Sequence, residues 1–368
     1  MSDYLHTALT DALGCRYPIV QTAMGWVSDA NLVIASSKAG AFGFLAGATI
    51  SAHQLETEIQ RVIEALGNSN FGLNFHMFQE NAAQCVDLAI EYRLRAVSYG
   101  RGPDRQTIER FKKAGVLCIP TVGAVKHAIK AVELGADMIT VQGGEGGGHT
   151  GGVPSTILLP QVLDAVQVPV IAAGGYSTGR GLAGALATGA AGVAMGTRFL
   201  MTKESPTPAA TLERYVKVAD PQKIRVTLAV DGMRHRMIEN AFIDRLEKAG
   251  AFGRLRIALG SAWHWKQQTG MSLGHMLRVF AQSVKEDPGA LSQTVMAANQ
   301  PVLLQRSMVD GVPDEGILPC GQVASAIGEL KSCQQLIEEI VREAERCLMA
   351  INARYPATRC QAAVSAGL

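Results

Sequence analysis

Two residues stand where their types could move a proton. Glu145 and His149 lie inside "VQGGEGGGHTGG", Val141 to Gly152, a stretch with seven glycines that follows the run Asp137-Met138-Ile139-Thr140. An imidazole titrates near neutrality and serves as a general acid or base. Read as the end of a strand, such a loop lets a flat ring lie against bare backbone, with Glu145 and His149 at the mouth. The plainer reading is a flexible glycine run with an incidental histidine and a solvated glutamate. The sequence shows no packing use for the glycines, which favours His149 as catalytic. Glu145 stands evenly between a substrate contact and a surface charge.

Other groups share this chemistry. "AAGGYSTGRG" (172–181) and "MGTRF" (195–199) each close an apolar run, and Gly174, Gly175, Gly196 and Thr197 could offer backbone N–H groups to a phosphate. Either loop alone could be a simple turn; two at successive strand ends point to a phosphate-bearing cofactor. At the first strand end Ala23, Met24 and Gly25 would share the rim, and Asn74 of "GLNF" ends the third. An amide there can donate and accept hydrogen bonds to a heterocycle such as a flavin. Core filling would equally explain Met24, and a strand-end cap would explain Asn74.

The elements that must position these residues read as repeated strand–helix units. From Pro18 to Gly196 the strands are "PIVQTA", "FGFLA", "FGLNF", "RAVSY", "VLCIPTV", "DMITVQ", "PVIAAG" and "GVAMG". Between them lie segments such as 51–66 and 124–136, with apolar residues at helical spacing. Eight strands predict an α/β fold, a (β/α)8 TIM barrel. A doubly wound open sheet would want a glycine fingerprint at the first turn and an acid after the second strand, and the sequence offers neither. After Leu200 the alternation stops. Residues 205–300 read mostly as helices without strand partners, a lid inserted over a barrel of residues 1–204; helical periodicity returns from Gln322 onward, and 301–368 is expected to pack back on the barrel.

Composition narrows the function. A net charge of +2 with 18% charged residues gives no global basic field, so no nucleic-acid partner is expected. The start "MSDYLHTALTDALGC" lacks a signal-peptide pattern and no run reaches membrane-spanning length, so the expectation is a cytoplasmic protein with no membrane partner. Seven cysteines form an odd set with no CxxC pair, which reads as buried thiols, neither a disulfide framework nor a metal site. Self-association into a homo-oligomer is left open.

With these residues laid out, the chain resembles the nitronate monooxygenase (2-nitropropane dioxygenase) family of FMN-dependent barrel enzymes. The segments that carry the likeness are "PIVQTAMGWVS", "GAFGFLAGA", "FGLNF", "VQGGEGGGHTGG", "IAAGGYSTGRGLAGALATGAAGVAMGTRF" and "GILPCGQV". The resemblance implies FMN held by Ala23, Met24, Asn74, Gln142, Gly174, Gly175, Gly196 and Thr197, with Gly25, Gly147 and Ala173 beside them, and His149 as the catalytic residue. The family spans nitronate oxidation with O2, enoyl-thioester and quinone reduction, and a steroid-catabolic branch. Ala23 stands where nitronate-oxidising members usually carry proline, and Trp26-Val27 looks like a thioester-acting pattern. "VDGMRHRMI", "MAANQPVLL", "MVDGVPDEGILPCGQV" and "KSCQQLIEEIV" are similar to the steroid-catabolic branch, which acts on a CoA thioester.

Substrate contacts are therefore expected at Trp26 and Glu145, and at Arg254 and Arg256, in a stretch (245–285) where seven basic residues face the single acid Glu247. A solvated helical face would explain the same charges. Two other classes compete. A purine-nucleotide dehydrogenase-like barrel needs a cysteine nucleophile beyond strand six, and none lies between Cys118 and Cys320. A flavin-binding sensor without catalysis would not need His149.

Overall fold

Each of the expected apolar runs forms a strand in this computed structural model, which describes residues 3–77, 79–100, 102–249 and 299–354. The strands are β1 (Ile19–Gln21), β2 (Phe42–Ala46), β3 (Gly72–Asn74), β4 (Ala96–Tyr99), β5 (Leu117–Val122), β6 (Ile139–Gln142), β8 (Val170–Ala173) and β9 (Gly192–Met195). All neighbours pair in parallel, and β9 pairs back onto β1, so the sheet is a closed barrel. The short β7 (Gly148–His149) lies off this path. Closure removes the open-sheet alternative and leaves no unpaired barrel edge.

The barrel is filled from within by Val20, Phe42, Phe44, Ile119, Ile171 and Ala194. Helix α1 (Ala8–Leu13) closes its lower end with Leu9 and Leu13, and a Cβ on Gly192, at the start of β9, would stand 2.8 Å from Leu9. Outside run α2 (Ala30–Lys38), α3 (Ala52–Leu66), α4 (Ala82–Glu91), α5 (Arg105–Lys113), α6 (Val125–Leu134), α7 (Ser155–Ala165) and α8 (Gly179–Thr188). In α3 the buried residues Leu55, Ile59 and Val62 recur at helical spacing, which turns one stripe to the sheet and leaves the charged face in water. Asp29 and Asp104 start α2 and α5 by accepting from the backbone N–H groups of Leu32 and Thr107.

Beyond the barrel come α9 (Thr197–Leu200), α10 (Ala209–Lys217), α11 (Ala241–Lys248), α12 (Asn299–Met308) and α13 (Cys333–Arg354). Here the reading of 205–300 as helical needs correction. β10 (Ile224–Thr227) and β11 (His235–Ile238) form an antiparallel pair, and β11 also pairs β7 and β12 (Leu318–Pro319) to make a four-stranded sheet over the barrel mouth. The strands are too short to carry a strong periodic signal, and half of their partners lie far along the chain. Residues 250–298 lie outside the described residues. A Cβ on Gly179 of α8 would stand 2.3 Å from Ile340 O of α13, so glycine there lets the two helices touch.

Candidate active site

The loop after β6 shows what its glycines are for. A Cβ on Gly143 would stand 2.0 Å from Ser155 Oγ, and one on Gly147 would stand 2.4 Å from the carbonyl carbon of Cys320. These glycines therefore have a packing use, contrary to the sequence reading: the loop runs flush against the start of α7 and the end of β12. Glu145 is the clamp. Its carboxylate accepts from Ser155 N at 2.9 Å and Ser155 Oγ at 2.8 Å, which ties the loop to the first turn of α7. Gln142 Nε2 donates to His149 O at 2.9 Å, and Gly148 at φ +67° turns the chain into β7. From β11, Arg236 donates to Gly144 O at 2.8 Å.

The C-terminal ends of β1, β6, β8 and β9 surround a cavity of about 250 Å³. Ala23, Met24 and Gly25 line it after β1, Gln142 and Gly147 after β6, Ala173, Gly174 and Gly175 after β8, and Gly196 and Thr197 after β9. Gly174 and Gly175 hold φ +93° and +83°, which L side chains rarely adopt, and a Cβ on Gly174 would stand 3.0 Å from Gly143 O. Among the described residues no Asp or Glu lines the cavity. The late segment roofs it: Pro319, Cys320 and Gly321 are in the lining, and Gly321 N donates to Thr197 Oγ1 at 2.9 Å. The first turn of α8 is engaged differently, since Gly179 N donates to Glu343 of α13 at 2.8 Å.

At the cavity edge three titratable groups meet. His149 Nε2 lies 2.5 Å from Asp231 Oδ2, and the His149 and His235 rings face each other at 4.7 Å with 35° between planes. The His149 side chain is 39% exposed while that of Asp231 is 1% exposed, so the pair has one end partly in solvent and one in the core. Burial alone would raise the Asp231 carboxyl, but the hydrogen bond from His149 and the charge of that ring outweigh it and hold the carboxyl below its ordinary range. Burial, then the charge of His149, pushes His235 down to about 4 against the opposing pull of Asp231. His235 is therefore neutral at pH 7. Its Nδ1 is buried without a hydrogen-bond partner among the described residues, and its side chain is in the cavity lining.

The expected cofactor residues thus gather on one cavity, except Asn74, whose side chain donates to Ser98 O at 3.0 Å and Ser98 Oγ at 2.7 Å. His149 stands beside the lining residues Gly148 and His235 and is not itself in the lining. Trp26 is half-buried, at φ 60°, with its N–H on Thr49 Oγ1 at 3.0 Å, and it too lies off the cavity. Arg254 and Arg256 lie outside the described residues. Sequence reasoning missed Asp231, His235 and Cys320. The dipeptide Asp231-Gly232 between "IRVTLAV" and "RHRMI" was an available signal, because such a pair favours a hairpin turn. Cys320 is inert as a thiol acid, since burial pushes it well above its ordinary value.

The nitronate monooxygenase family model matches residues 6–93 and 76–343. The chain belongs to that family. It is a flavin-dependent oxidoreductase. The chain is 42% identical, over 95% of its length and 98% of the relative, to the (3aS,4S,5R,7aS)-5-hydroxy-7a-methyl-1-oxo-octahydro-1H-indene-4-carboxyl-CoA dehydrogenase of Rhodococcus jostii. It is 44% identical to the enzyme of the same name in Mycobacterium tuberculosis, over 92% of this chain and 96% of that one. Among solved structures, FabK from Thermotoga maritima superposes with a TM-score of 0.76 at 28% identity, covering 95% of this chain and 99% of that one. No helix among the described residues is long and apolar enough to cross a membrane.

Proposed function

We propose that this cytoplasmic family member binds FMN in the cavity and oxidises a C–C bond beside the carbonyl of a CoA thioester derived from a steroid ring system. The observation that carries the cofactor is the cavity wall. Glycines at 147, 174, 175 and 196 leave stretches of it as bare backbone, Ala23, Met24 and Gln142 share the lining, and no Asp or Glu among the described residues is in that lining. These residues fit a flat heterocycle with a phosphorylated tail, the phosphate facing the turns 174–175 and 196–197. When bound, FMN supplies a two-electron acceptor for hydride at its N5.

The chain's own residues do the rest. His149 takes the proton from the carbon next to the thioester carbonyl, or returns it if the reaction runs the other way. Glu145 fixes the loop that carries His149, a positioning role in place of the substrate contact expected from sequence. The segment roofing the cavity, Pro319 to Gly321, keeps water from the reacting face. Arg254 and Arg256 are proposed as the handle for the phosphates of CoA, through the fixed donor fork of arginine. The thioester is favoured by the two relatives above, whose names specify a carboxyl-CoA substrate.

The test is direct. The chromophore released by denaturing the purified protein should have the mass of FMN, and incubation with an indane-carboxyl-CoA thioester should give a product lighter by two hydrogen atoms. A colourless protein that takes up no FMN would refute the cofactor, and an unchanged thioester beside oxidised alkyl nitronate would refute the substrate.

A further inference from the structure

The site contains a buried acid, Asp231, to which the sequence reading gave no role. Asp231 is 1% exposed, and both its oxygens are engaged: Oδ2 meets His149 Nε2 at 2.5 Å, and Oδ1 accepts from Met233 N at 3.0 Å. Its carboxylate is thus held in one orientation. The turn that presents it is braced by Gly232, whose N–H donates to Leu228 O at 3.0 Å while its φ of +82° suits glycine alone. His149 is held as firmly from its own side. Its backbone pairs with His235 across β7 and β11, and its carbonyl accepts from Gln142. The ring can therefore neither swing from Asp231 nor exchange its two nitrogens without losing that contact.

We propose that Asp231 is the positioning residue of His149, its carboxylate accepting the Nε2–H so that Nδ1 is the ring atom that exchanges the substrate proton. This rests on the reading of His149 as the acid–base group. A carboxylate can only accept, so the proton between the two belongs to the ring. With His149 neutral, Nδ1 then carries the lone pair and is the base; with His149 charged, Nδ1–H is the acid. The geometry serves both directions. His235 supports the arrangement from below. Its ring covers one face of His149 at 4.7 Å, and, held neutral by burial, it brings no positive charge of its own to Asp231. Other charges near the loop are engaged elsewhere: Arg236 donates to Gly144 O, and Glu145 accepts from Ser155.

The same three side chains also have the composition of a metal site, since ligand atoms of His149, Asp231 and His235 all lie within 4.8 Å of one another. A cation there would occupy the Nε2 of His149 and forbid the hydrogen bond. At 2.5 Å the His149–Asp231 contact is that of a charge-assisted hydrogen bond, and no cation fits between the two atoms at that spacing.

The experiment uses the holoenzyme in two arms. In the first, nitrogen NMR of protein labelled in histidine, with the His149 signals assigned by their loss in His149→Ala, reads the tautomer without any substrate. The expected spectrum has the proton on Nε2 and a bare Nδ1, and Asp231→Asn should mix the tautomers. A proton on Nδ1 in the unsubstituted enzyme would overturn the proposal. In the second arm, Asp231→Asn should lower kcat roughly 10²-fold with KM little changed, while in a His149→Ala background the same change should cost almost nothing further. Equal losses in both backgrounds would show a structural role and overturn the proposal. Inactivation by EDTA that Zn²⁺ reverses would also overturn it, in favour of the metal. If the tautomer and the cycle behave as stated while the steroid thioester is not a substrate, the pair stands and only the substrate reading fails.

Discussion

The barrel rim and the small sheet above it meet in one cavity but are built on opposite plans. The rim, from the ends of β1, β6, β8 and β9, offers mostly glycine, alanine and threonine, that is, backbone and space. The sheet, β7 with β10 to β12, brings the titratable side chains of Asp231, His235 and His149 together. On the proposed function, the difference separates two tasks. A cofactor site needs close approach, which side chains obstruct, whereas proton transfer needs side chains held in one orientation, which a flexible glycine loop cannot supply by itself. Pairing β7 to β11 is what lends the glycine loop the rigidity its histidine needs.

If that division is right, the largest effect should follow from filling the rim. Gly174→Val would force a branched side chain into the left-handed region, at a cost of roughly 1–3 kcal/mol, and would set Cβ 3.0 Å from Gly143 O. The variant should purify without flavin, whereas Gly184→Ala on α8, where a Cβ meets nothing within 4 Å, should purify yellow. Flavin absorbance per protein checks both. Changing the sheet side should do the reverse. His149→Ala should keep its flavin and lose roughly 10² to 10⁴-fold in turnover, the usual worth of a general acid–base group.

A third prediction concerns pH. In the folded protein His235 has its proton affinity lowered to about 4, below the 6.5 of a free side chain, so the unfolded chain takes up a proton first. Stability is then complete above pH 6.5 and falls as the pH drops towards 4, by on the order of 3 kcal/mol. Asp231, also held below its ordinary value, acts in the same direction at the acid end. Melting temperatures from pH 7 to 4 should fall steeply in the unsubstituted protein and less steeply in His235→Asn. A parallel decline in both would remove His235 from the account. The smallest effect belongs to the proposed CoA handle: the KM for a CoA thioester should rise about two- to fivefold from low to high salt, since exposed attraction is screened, and Arg254→Glu with Arg256→Glu should abolish that dependence.

The rim was legible in the sequence because its signals are local. Each barrel strand is a continuous apolar run, and the glycines that end it follow directly, so Gly174, Gly175, Gly196 and Thr197 could be placed at strand ends from order alone. The sheet was hardly legible. Asp231 and His149 are 82 residues apart, and β7 has only two residues, so neither periodicity nor spacing could join them. The part Glu145 plays in the loop was hidden for a related reason: its partner Ser155 starts a helix, and a carboxylate used as a helix clamp looks the same in sequence as one facing solvent. Asn74 was placed correctly at a strand end, yet its amide turns to Ser98, a choice made by the neighbouring strand.

One measurement bears most directly on the central claim, that the rim holds FMN and the sheet delivers a proton step on a CoA thioester. The yellow enzyme is mixed without oxygen with an indane-carboxyl-CoA thioester or with an alkyl nitronate, and the flavin absorbance is followed in time. The account predicts rapid bleaching by the thioester, slowed roughly 10²-fold or more in His149→Ala, and none by the nitronate on that timescale. Bleaching by the nitronate alone, or bleaching by the thioester at the same rate with and without His149, would contradict it.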